Sequence, residues 1–278
     1  MTKTAIIVSI SSDIGTALAQ RWLAQGWTVF GTYRTRSAAT TQLEAIGAKL
    51  VACDMADNKA LEASCAELRH LCPAWDVLVI AAGTTEPIGP FAETDFYAWA
   101  RSIEINFTSQ MHLTHRLLPS RKTQLPVEPC VIYFAGGGTN SATTNYSAYT
   151  VSKIALIKMC ELLDAEIPDV RFSILGPGWV NTKIHEETLR AGLNAGENLV
   201  RTQQKFARGE FTQMKDVLDC CDWLVASSRR EIGGRNFSVA NDPWGSSRLR
   251  DALLSDSDMY KLRRKGNSLF DSHPSFPA

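Results

Sequence analysis

Residues 4–33 read TAIIVSISSDIGTALAQRWLAQGWTVFGTY, and this stretch decides the fold. Two apolar runs, AIIV at 5–8 and TVFGTY at 28–33, enclose the amphipathic segment TALAQRWLAQG at 16–26. Nearly continuous apolar runs are typical of strands that are covered on both faces, and the segment between them is typical of a helix capped by Gly26. The order strand, helix, strand predicts a right-handed crossover between parallel strands.

The same alternation continues along the chain. Further strand-like runs are KLVAC (49–53), DVLVIAA (76–82), CVIYFA (130–135), RFSILG (171–176) and RNFSVA (235–240). Segment 183–215 is typical of two helices interrupted by Gly192 and Gly196, and a further helix is predicted at 215–227. We therefore predict an α/β fold with a doubly wound, Rossmann-like parallel sheet that binds ligands at the carboxyl ends of its strands.

The chain length of 278 residues is close to the upper limit for one hydrophobic core, which predicts a single domain. We place this domain at residues 1–242. Residues 243–278 are polar and lack a regular pattern, and they include a basic patch at 261–265. We expect this C-terminal tail to be irregular and to form a solvated segment, a wall of the substrate cleft or a subunit contact.

Composition excludes several classes of protein. The 29 Lys and Arg residues balance the 29 Asp and Glu residues, which argues against a broad nucleic-acid-binding surface. No apolar run approaches the roughly 20 residues that a membrane span needs, and no signal peptide is recognisable. We expect a cytoplasmic protein that binds neither nucleic acid nor membranes. The seven cysteines lack CxxC spacing, and His112 and His115 lack a second ligand cluster, so no metal site is predicted.

The turn VSISSDIG after the first strand is a candidate dinucleotide site, because backbone N–H groups and the helix dipole can bind a pyrophosphate there. Gly15 is its only glycine, and Ser9 and Asp13 stand where a glycine-rich turn has its other glycines. Ser11 and Ser12 can donate hydroxyl hydrogens to phosphate. Asp13 is a favoured N-cap residue and is expected to accept hydrogen bonds from helix N–H groups.

The second strand ends in Tyr33, followed by Arg34 and Arg36. No carboxylate is present to accept hydrogen bonds from the adenosine ribose. Guanidinium groups bind phosphate in a bidentate manner, so the pattern favours the 2′-phosphate of NADP(H) over NAD(H). Two solvated loop arginines are the alternative.

Tyr149 and Lys153 in SAYTVSK lie four residues apart and therefore share one face of a helix. The pKa of tyrosine is ordinarily ~10, and a nearby lysine cation is expected to lower it. Tyr149 can then give a proton to a carbonyl oxygen, or take one from an alcohol, as a hydride moves. A YxxxK pair is common by chance, and its position one helix after the fifth strand gives it weight.

These motifs, in this order, resemble the single-domain branch of the short-chain dehydrogenases/reductases over about residues 4–242. The resemblance implies that Asp54 contacts adenine, that IAAG at 80–83 replaces the family's NNAG turn, and that PGWVNT at 177–182 contacts the nicotinamide end through Thr182. The residues predicted to contact the cofactor are Ser9, Ser11, Ser12, Ile14, Gly15, Arg34, Arg36, Asp54, Met55, Ala82, Gly83, Tyr149, Lys153, Gly178, Val180 and Thr182.

The resemblance also implies catalytic roles. Tyr149 is the acid/base, Lys153 orients the nicotinamide ribose, and Asn106 holds a water that connects Lys153 to solvent. The family's active-site Ser is missing, because the segment from Ala135 through three glycines, 136–138, stands where it is expected. The nearest hydroxyls downstream belong to Thr139 and Ser141, and we select Ser141 as the catalytic substitute.

The resulting prediction is an NAD(P)H-dependent oxidoreductase that interconverts a carbonyl and a secondary alcohol on a small molecule. Residues 242–244 and the polar tail resemble family members that act on sugars or nucleotide-sugars. Segment 183–212 is expected to close over the substrate, and helices at about 96–118 and 147–165 to form a homodimer or homotetramer. The alternative is a non-catalytic NADP-binding sensor or scaffold, which the missing Ser and the glycine-poor turn favour.

Overall fold

The computed structural model describes residues 2–123 and 127–266. The strands are β1 (Thr4–Val8), β2 (Thr28–Tyr33), β3 (Lys49–Ala52), β4 (Val77–Ile80), β5 (Cys130–Phe134), β6 (Arg171–Gly176) and β7 (Arg235–Ser238). The helices are α1 (Asp13–Ala24), α2 (Ala38–Ala45), α3 (Asn58–Leu71), α4 (Phe96–Ile103), α5 (Ser109–Leu117), α6 (Ser147–Glu166), α7 (Ile184–Ala191), α8 (Glu197–Arg208), α9 (Met214–Ala226), α10 (Arg229–Ile232) and α11 (Ser247–Ser255). Every predicted strand run lies on an observed strand.

The strands form one parallel sheet in the order β3-β2-β1-β4-β5-β6-β7. The chain moves outward from β1 to β3, then returns to β4 on the other side of β1 and moves outward again to β7. The predicted doubly wound, Rossmann-like α/β fold is therefore confirmed. The direction of winding reverses between β1 and β4, and ligands of such sheets bind at the carboxyl ends of the strands beside this reversal.

Strand side chains alternate between two apolar layers, one on each face of the sheet. One layer packs the strands against α1 and α9, and it includes Ile7, Leu18, Trp22, Val79, Ile132, Val217 and Leu224. The other layer packs them against α3, α5 and α6, and it includes Ile6, Leu61, Leu78, Leu113, Val131 and Leu156. Burial on both faces explains why the strands are almost entirely apolar in sequence.

The helix expected at about 96–118 is not continuous. A π-helical turn, Glu104–Thr108, separates α4 from α5. Such turns insert one extra residue into a helix and often occur at functional sites. Asn106 lies in this turn with its side chain fully buried.

The expectation of an irregular C-terminal tail is wrong for α11. Ser246 caps this helix by accepting a hydrogen bond from the N–H of Leu249, and both Leu249 and Leu253 are buried. The buried Arg235 of β7 holds the far end, donating to the carbonyl of Leu253 at 2.8 Å and to that of Asp256 at 2.9 Å. Residues 267–278 of the predicted tail lie outside the described residues. Within the described ranges, no helix is long and apolar enough to cross a membrane.

Candidate active site

A cleft of about 1900 Å³ lies at the carboxyl ends of the strands, beside the reversal between β1 and β4. All but three of the residues predicted to contact the cofactor or to act in catalysis line this cleft. The three that do not are Gly15, Arg36 and Asn106. The sequence motifs, which are far apart along the chain, are thus brought together by the topology of the sheet.

The turn between β1 and α1 keeps the shape of a dinucleotide-binding turn despite its few glycines. Ser9 has a φ of +57°, a left-handed conformation that glycine usually supplies. A Cβ atom at Gly15 would lie 2.6 Å from the carbonyl oxygen of Ser9, so only glycine fits there. The first turn of α1 therefore packs closely against Ser9, and Ser12, Asp13 and Ile14 at the start of the helix line the cleft.

The prediction that Asp13 caps α1 is wrong. Ser12 is the N-cap, and its hydroxyl oxygen accepts a hydrogen bond from Gly15 N at 3.1 Å. The Asp13 carboxylate instead accepts from the backbone N of Lys183 at 2.8 Å. Asp13 lies at the first position inside the helix, where its side chain projects towards residues that follow β6.

The two arginines after β2 differ in their surroundings. Arg34 lines the cleft. Arg36 does not: its guanidinium donates to the Glu44 carboxylate at 3.1 Å and lies 5.4 Å from the Tyr33 ring centre. Arg34 is therefore the arginine placed to contact a phosphate in the cleft, while Arg36 is engaged with α2.

Asp54 and Met55 follow β3 and line the same end of the cleft. One carboxylate oxygen of Asp54 accepts from Ala56 N at 2.9 Å. The backbone carbonyl of Met55 accepts from the buried hydroxyl of Ser109 at 2.7 Å. Hydrogen bonds from neighbouring elements thus fix this turn against the cleft.

The first turns of α6 place Tyr149 and Lys153 at the centre of the cleft. Lys153 is almost fully buried, and its Nζ donates to the carbonyl of Phe134 at 2.9 Å. Burial lowers the pKa of Lys153 to about 8, because the charged form loses its hydration. The Nζ atom lies 5.6 Å from the centre of the Tyr149 ring.

The expected lowering of the Tyr149 pKa is wrong for this structure. Burial, and secondly the negative charge of Glu187, raise the pKa of Tyr149 to about 12. Both effects disfavour the phenolate, since it loses hydration and faces a like charge. Tyr149 is therefore protonated at neutral pH.

The residue against the Tyr149 hydroxyl is Gly136. A Cβ atom at position 136 would lie 2.5 Å from Tyr149 Oη, whereas Ala135 is buried against the core. Ser141 lines the cleft but is exposed, and among the described residues the Tyr149 hydroxyl has no hydrogen-bond partner. The role of Ser141 as a substitute donor therefore stays a prediction.

Asn106 lies behind the cleft and fastens the turn after β4. Its Oδ1 accepts from Thr84 N at 3.0 Å, and its Nδ2 donates to the Thr84 carbonyl at 2.8 Å. Nδ2 also donates to the Ser102 hydroxyl at 3.1 Å. The polar atoms of this side chain are bound by protein groups, and the water-holding role predicted for it stays a prediction.

The segment after β6 completes the wall of the cleft. Gly178 has a φ of +77°, and a Cβ atom there would lie 2.5 Å from the Thr212 hydroxyl. The Thr182 hydroxyl donates to the carbonyl of the buried Val180 at 3.4 Å. Gly178, Val180 and Thr182 line the cleft, while their contacts with the cofactor stay a prediction.

Glu187 is a site residue that the sequence analysis missed. It projects from α7 into the cleft, where its Oε2 accepts from Thr85 N and from Thr85 Oγ1, both at 2.6 Å. A single carboxylate in a polar helix gives no signal in sequence, and its partner is 102 positions away along the chain. Only the fold brings the two together.

His112 and the cysteines, for which no metal site was predicted, form an ion pair or are buried as free thiols. His112 pairs with Glu62 at 2.7 Å. In residues 2–123 and 127–266, no group of three or more His, Cys, Asp or Glu side chains is arranged to hold a metal ion. The seven cysteines are buried free thiols, and burial raises the pKa of Cys65 to about 12.

Comparison with known proteins gives consistent matches. A family model described as enoyl-(acyl carrier protein) reductase matches residues 8–241. Serine 3-dehydrogenase of Rhizobium radiobacter is 32% identical over 126 residues, which is 43% of this chain and 49% of that protein. The chain thus spans about half the length of this relative. Benzil reductase ((S)-benzoin forming) of Saccharomyces cerevisiae is 27% identical over 198 residues, which is 67% of this chain and 75% of that protein.

Among solved structures, a short-chain dehydrogenase/reductase from Saccharomyces cerevisiae has the same fold, with a TM-score of 0.76 at 23% identity. The similarity covers 90% of this chain and 98% of that one. The family model likewise spans well over half of the sequence, from the end of β1 to beyond β7. The chain belongs to the short-chain dehydrogenase/reductase family of oxidoreductases.

Proposed function

We propose that the protein is an NADP(H)-dependent oxidoreductase that interconverts a carbonyl and a secondary alcohol on a small polar molecule. The observation that carries this proposal is the position of Tyr149 and Lys153 in one cleft with the β1–α1 turn and Arg34. The nicotinamide cofactor supplies or accepts the hydride when it is bound. The remaining steps belong to side chains of this chain.

The residues of the cleft fit such a cofactor. Ser9 has a left-handed backbone conformation, and α1 packs so closely against it that only glycine fits at position 15. The start of α1 lies at the cleft, where backbone N–H groups of a helix can bind a pyrophosphate. Arg34 lines the cleft, and its guanidinium can bind a 2′-phosphate. Lys153 donates one hydrogen bond to Phe134, which leaves two N–H groups of the ammonium for ribose hydroxyls.

The proton chemistry centres on Tyr149. Its hydroxyl is protonated at neutral pH, because its pKa is raised to about 12. It can therefore donate its proton to a carbonyl oxygen that accepts a hydride, and the neighbouring Lys153 cation stabilises the phenolate that remains. The protonated hydroxyl is the form that reduction of a carbonyl requires, whereas oxidation of an alcohol requires the phenolate.

The lining of the cleft indicates a polar substrate. The lid, which we define as residues 184–208, contributes Arg190, Asn194, Asn198, Arg201 and Thr202. A substrate with several hydroxyl groups, such as a sugar or a nucleotide-sugar, would form hydrogen bonds with these polar side chains.

The two relatives, serine 3-dehydrogenase and benzil reductase, are named for reactions at an alcohol or a carbonyl group, but on different substrates. They therefore support the type of reaction and not the substrate.

The test is NADPH oxidation with a panel of ketones and ketosugars, alongside NADPH binding measured by calorimetry. Turnover of a carbonyl compound supports the proposal. Tight binding of NADPH without turnover of any compound would favour the non-catalytic sensor or scaffold. The family match and the names of the relatives give that alternative no support.

We predict that Arg34→Ala weakens NADPH binding by roughly tenfold or more and leaves NADH binding unchanged, because a hydrogen bond to a charged group contributes about 1.5–3 kcal/mol. Arg36→Ala is the matched control, since Arg36 is engaged with Glu44 outside the cleft. The measurement is the dissociation constant of each cofactor for each variant. Equal affinities for NADPH and NADH in the unmodified protein would contradict the assignment.

We also propose that the protein forms a homodimer or homotetramer through α4 and α6. Large apolar side chains are exposed there: Phe96 by 63%, Tyr97 by 86%, Val151 by 52% and Leu162 by 43%. We predict that Tyr97→Glu shifts the assembly to monomers in sedimentation experiments, because a charge in an apolar contact loses its hydration. Leu193→Glu, on the lid, is the control and should keep the assembly intact. A monomeric unmodified protein would overturn the proposal.

A further inference from the structure

The carboxylate of Glu187 links the lid to the turn that follows β4. Oε2 accepts from Thr85 N and Thr85 Oγ1, both at 2.6 Å, and Oε1 accepts from Thr84 Oγ1 at 3.2 Å. Glu187 pairs with no Lys or Arg side chain in the part of the chain that the structure describes. Hydrogen bonds that have one charged partner are shorter and stronger than those between neutral groups. The contact of the Glu187 carboxylate with Thr84 and Thr85 therefore holds the lid firmly to the turn.

The same turn is held from its other side by Asn106. The side chain of Asn106 binds both the N–H and the carbonyl of Thr84. The preceding residue, Gly83, lies against the catalytic lysine: a Cβ atom there would be 3.5 Å from Lys153 Nζ and 3.4 Å from Asn106 Oδ1. The turn 83–85 is thus clamped between Glu187 of the lid and the groups around Lys153.

The opposite edge of the lid has separate attachments. Tyr146 Oη donates to the Thr188 hydroxyl at 2.8 Å, and Asn145 Nδ2 donates to the Asn194 carbonyl at 2.9 Å. Both donors come from residues just before α6. The lid therefore spans the cleft from α6 to the turn after β4. At this second edge the Glu187 carboxylate binds the turn itself, and an exposed ion pair joins Arg190 to Glu86 at 3.3 Å.

We propose that Glu187 is a positioning residue that closes the lid over the cleft and aligns the turn 83–85 beside Lys153. The inference rests on the proposed oxidoreductase function, since the lid then encloses the reacting groups. An open lid leaves Thr84 and Thr85 without the carboxylate, so the turn reaches its full set of hydrogen bonds only when the lid is closed. Closure of the lid and alignment of the turn are the same event.

The first test measures the lid directly, by hydrogen exchange of backbone amides in the protein without cofactor. In Glu187→Ala the amides of α7 should exchange roughly tenfold faster or more, because local opening becomes easier when a strong contact is removed. Glu186→Ala is the matched control, because that exposed neighbour makes no side-chain hydrogen bond among the described residues. Unchanged exchange in Glu187→Ala, or an equal increase in the control, would overturn the proposal.

The second test separates positioning from a loss of folding. Thr85→Val removes the hydroxyl that donates to Glu187, and Thr85→Ser keeps it. Thr85→Val should speed lid exchange and lower kcat, Thr85→Ser should restore both, and the Thr85→Val/Glu187→Ala pair should be no worse than Glu187→Ala alone. Additive effects, or no rescue by Ser, would contradict a shared contact.

The two tests distinguish failure of the inference from failure of the proposed function. If Glu187→Ala loosens the lid but no protein, modified or unmodified, reduces a carbonyl compound, the lid contact is supported and the proposed function fails. If the unmodified protein is active and Glu187→Ala changes neither exchange nor kcat, the function holds and the inference fails.

Discussion

Replacing Tyr149 with Phe is expected to lower turnover by roughly 100- to 10,000-fold, the range that a general acid or base contributes. The substitution keeps the ring, which packs in the cleft beside Lys153, and removes only the hydroxyl. That hydroxyl has no hydrogen-bond partner among the described residues, so its loss leaves no protein group unsatisfied. Folding and NADPH binding should therefore be retained, as thermal unfolding and calorimetry can show.

Tyr133→Phe is the control for this experiment. The Tyr133 hydroxyl is buried in the core and shares a hydrogen bond of 2.9 Å with Thr114. Its removal should lower stability by about 1 kcal/mol and leave turnover unchanged. If Tyr149→Phe kept more than about a tenth of the activity, well above the range for a lost acid or base, Tyr149 would not be the proton donor.

The second large effect is expected from Gly136→Ala. The added Cβ would lie 2.5 Å from Tyr149 Oη and 2.6 Å from its Cε1, too close for either atom to remain in place. The tyrosine ring must then move away from the position where it meets a substrate carbonyl. Because a displacement of about 1 Å at a reacting group can cost roughly 100-fold in rate, kcat should fall by that order.

Gly137→Ala is a closely matched control, because a Cβ at position 137 meets no atom within 4 Å. It should leave kcat unchanged, and both variants should fold, since neither glycine has a positive φ. Gly136→Ser adds a hydroxyl at the same place. If Gly136→Ser were more active than Gly136→Ala, the result would show that the site lacks a hydroxyl group that donates a hydrogen bond beside Tyr149. Full activity in Gly136→Ala would contradict the observed packing.

The fold was predictable because the central strands are buried on both faces and therefore read as apolar runs, which locate each strand to within a few residues. The sequence motifs also predicted many of the residues that line the cleft. Tyr149 and Lys153 are identified by spacing on a helix, and Arg34 by its place after β2. These signals are local, since each depends on residues within one element and the loop beside it.

Features that depend on distant partners were not predictable. Asp13 was assigned to its own helix, but its carboxylate binds Lys183, 170 positions away along the chain. Arg34 and Arg36 were both predicted to contact the cofactor, but Arg36 pairs with Glu44 of α2 and Arg34 lines the cleft. The pKa of Tyr149 could not be inferred from Lys153 alone, because it is raised by burial and secondly by the charge of Glu187, which lies on a distant helix.

The attachment of α11 links the stability of the sheet to residues beyond 242. Arg235 donates to three backbone carbonyls of the segment that follows β7, those of Leu253, Asp256 and Met259. A chain that ended at residue 242 would lose these three acceptors and expose the apolar surface under α11. A hydrogen bond to a charged group contributes about 1.5–3 kcal/mol, against a total stability of about 5–15 kcal/mol for a typical protein. Removal of this stretch is therefore expected to destabilise the sheet itself.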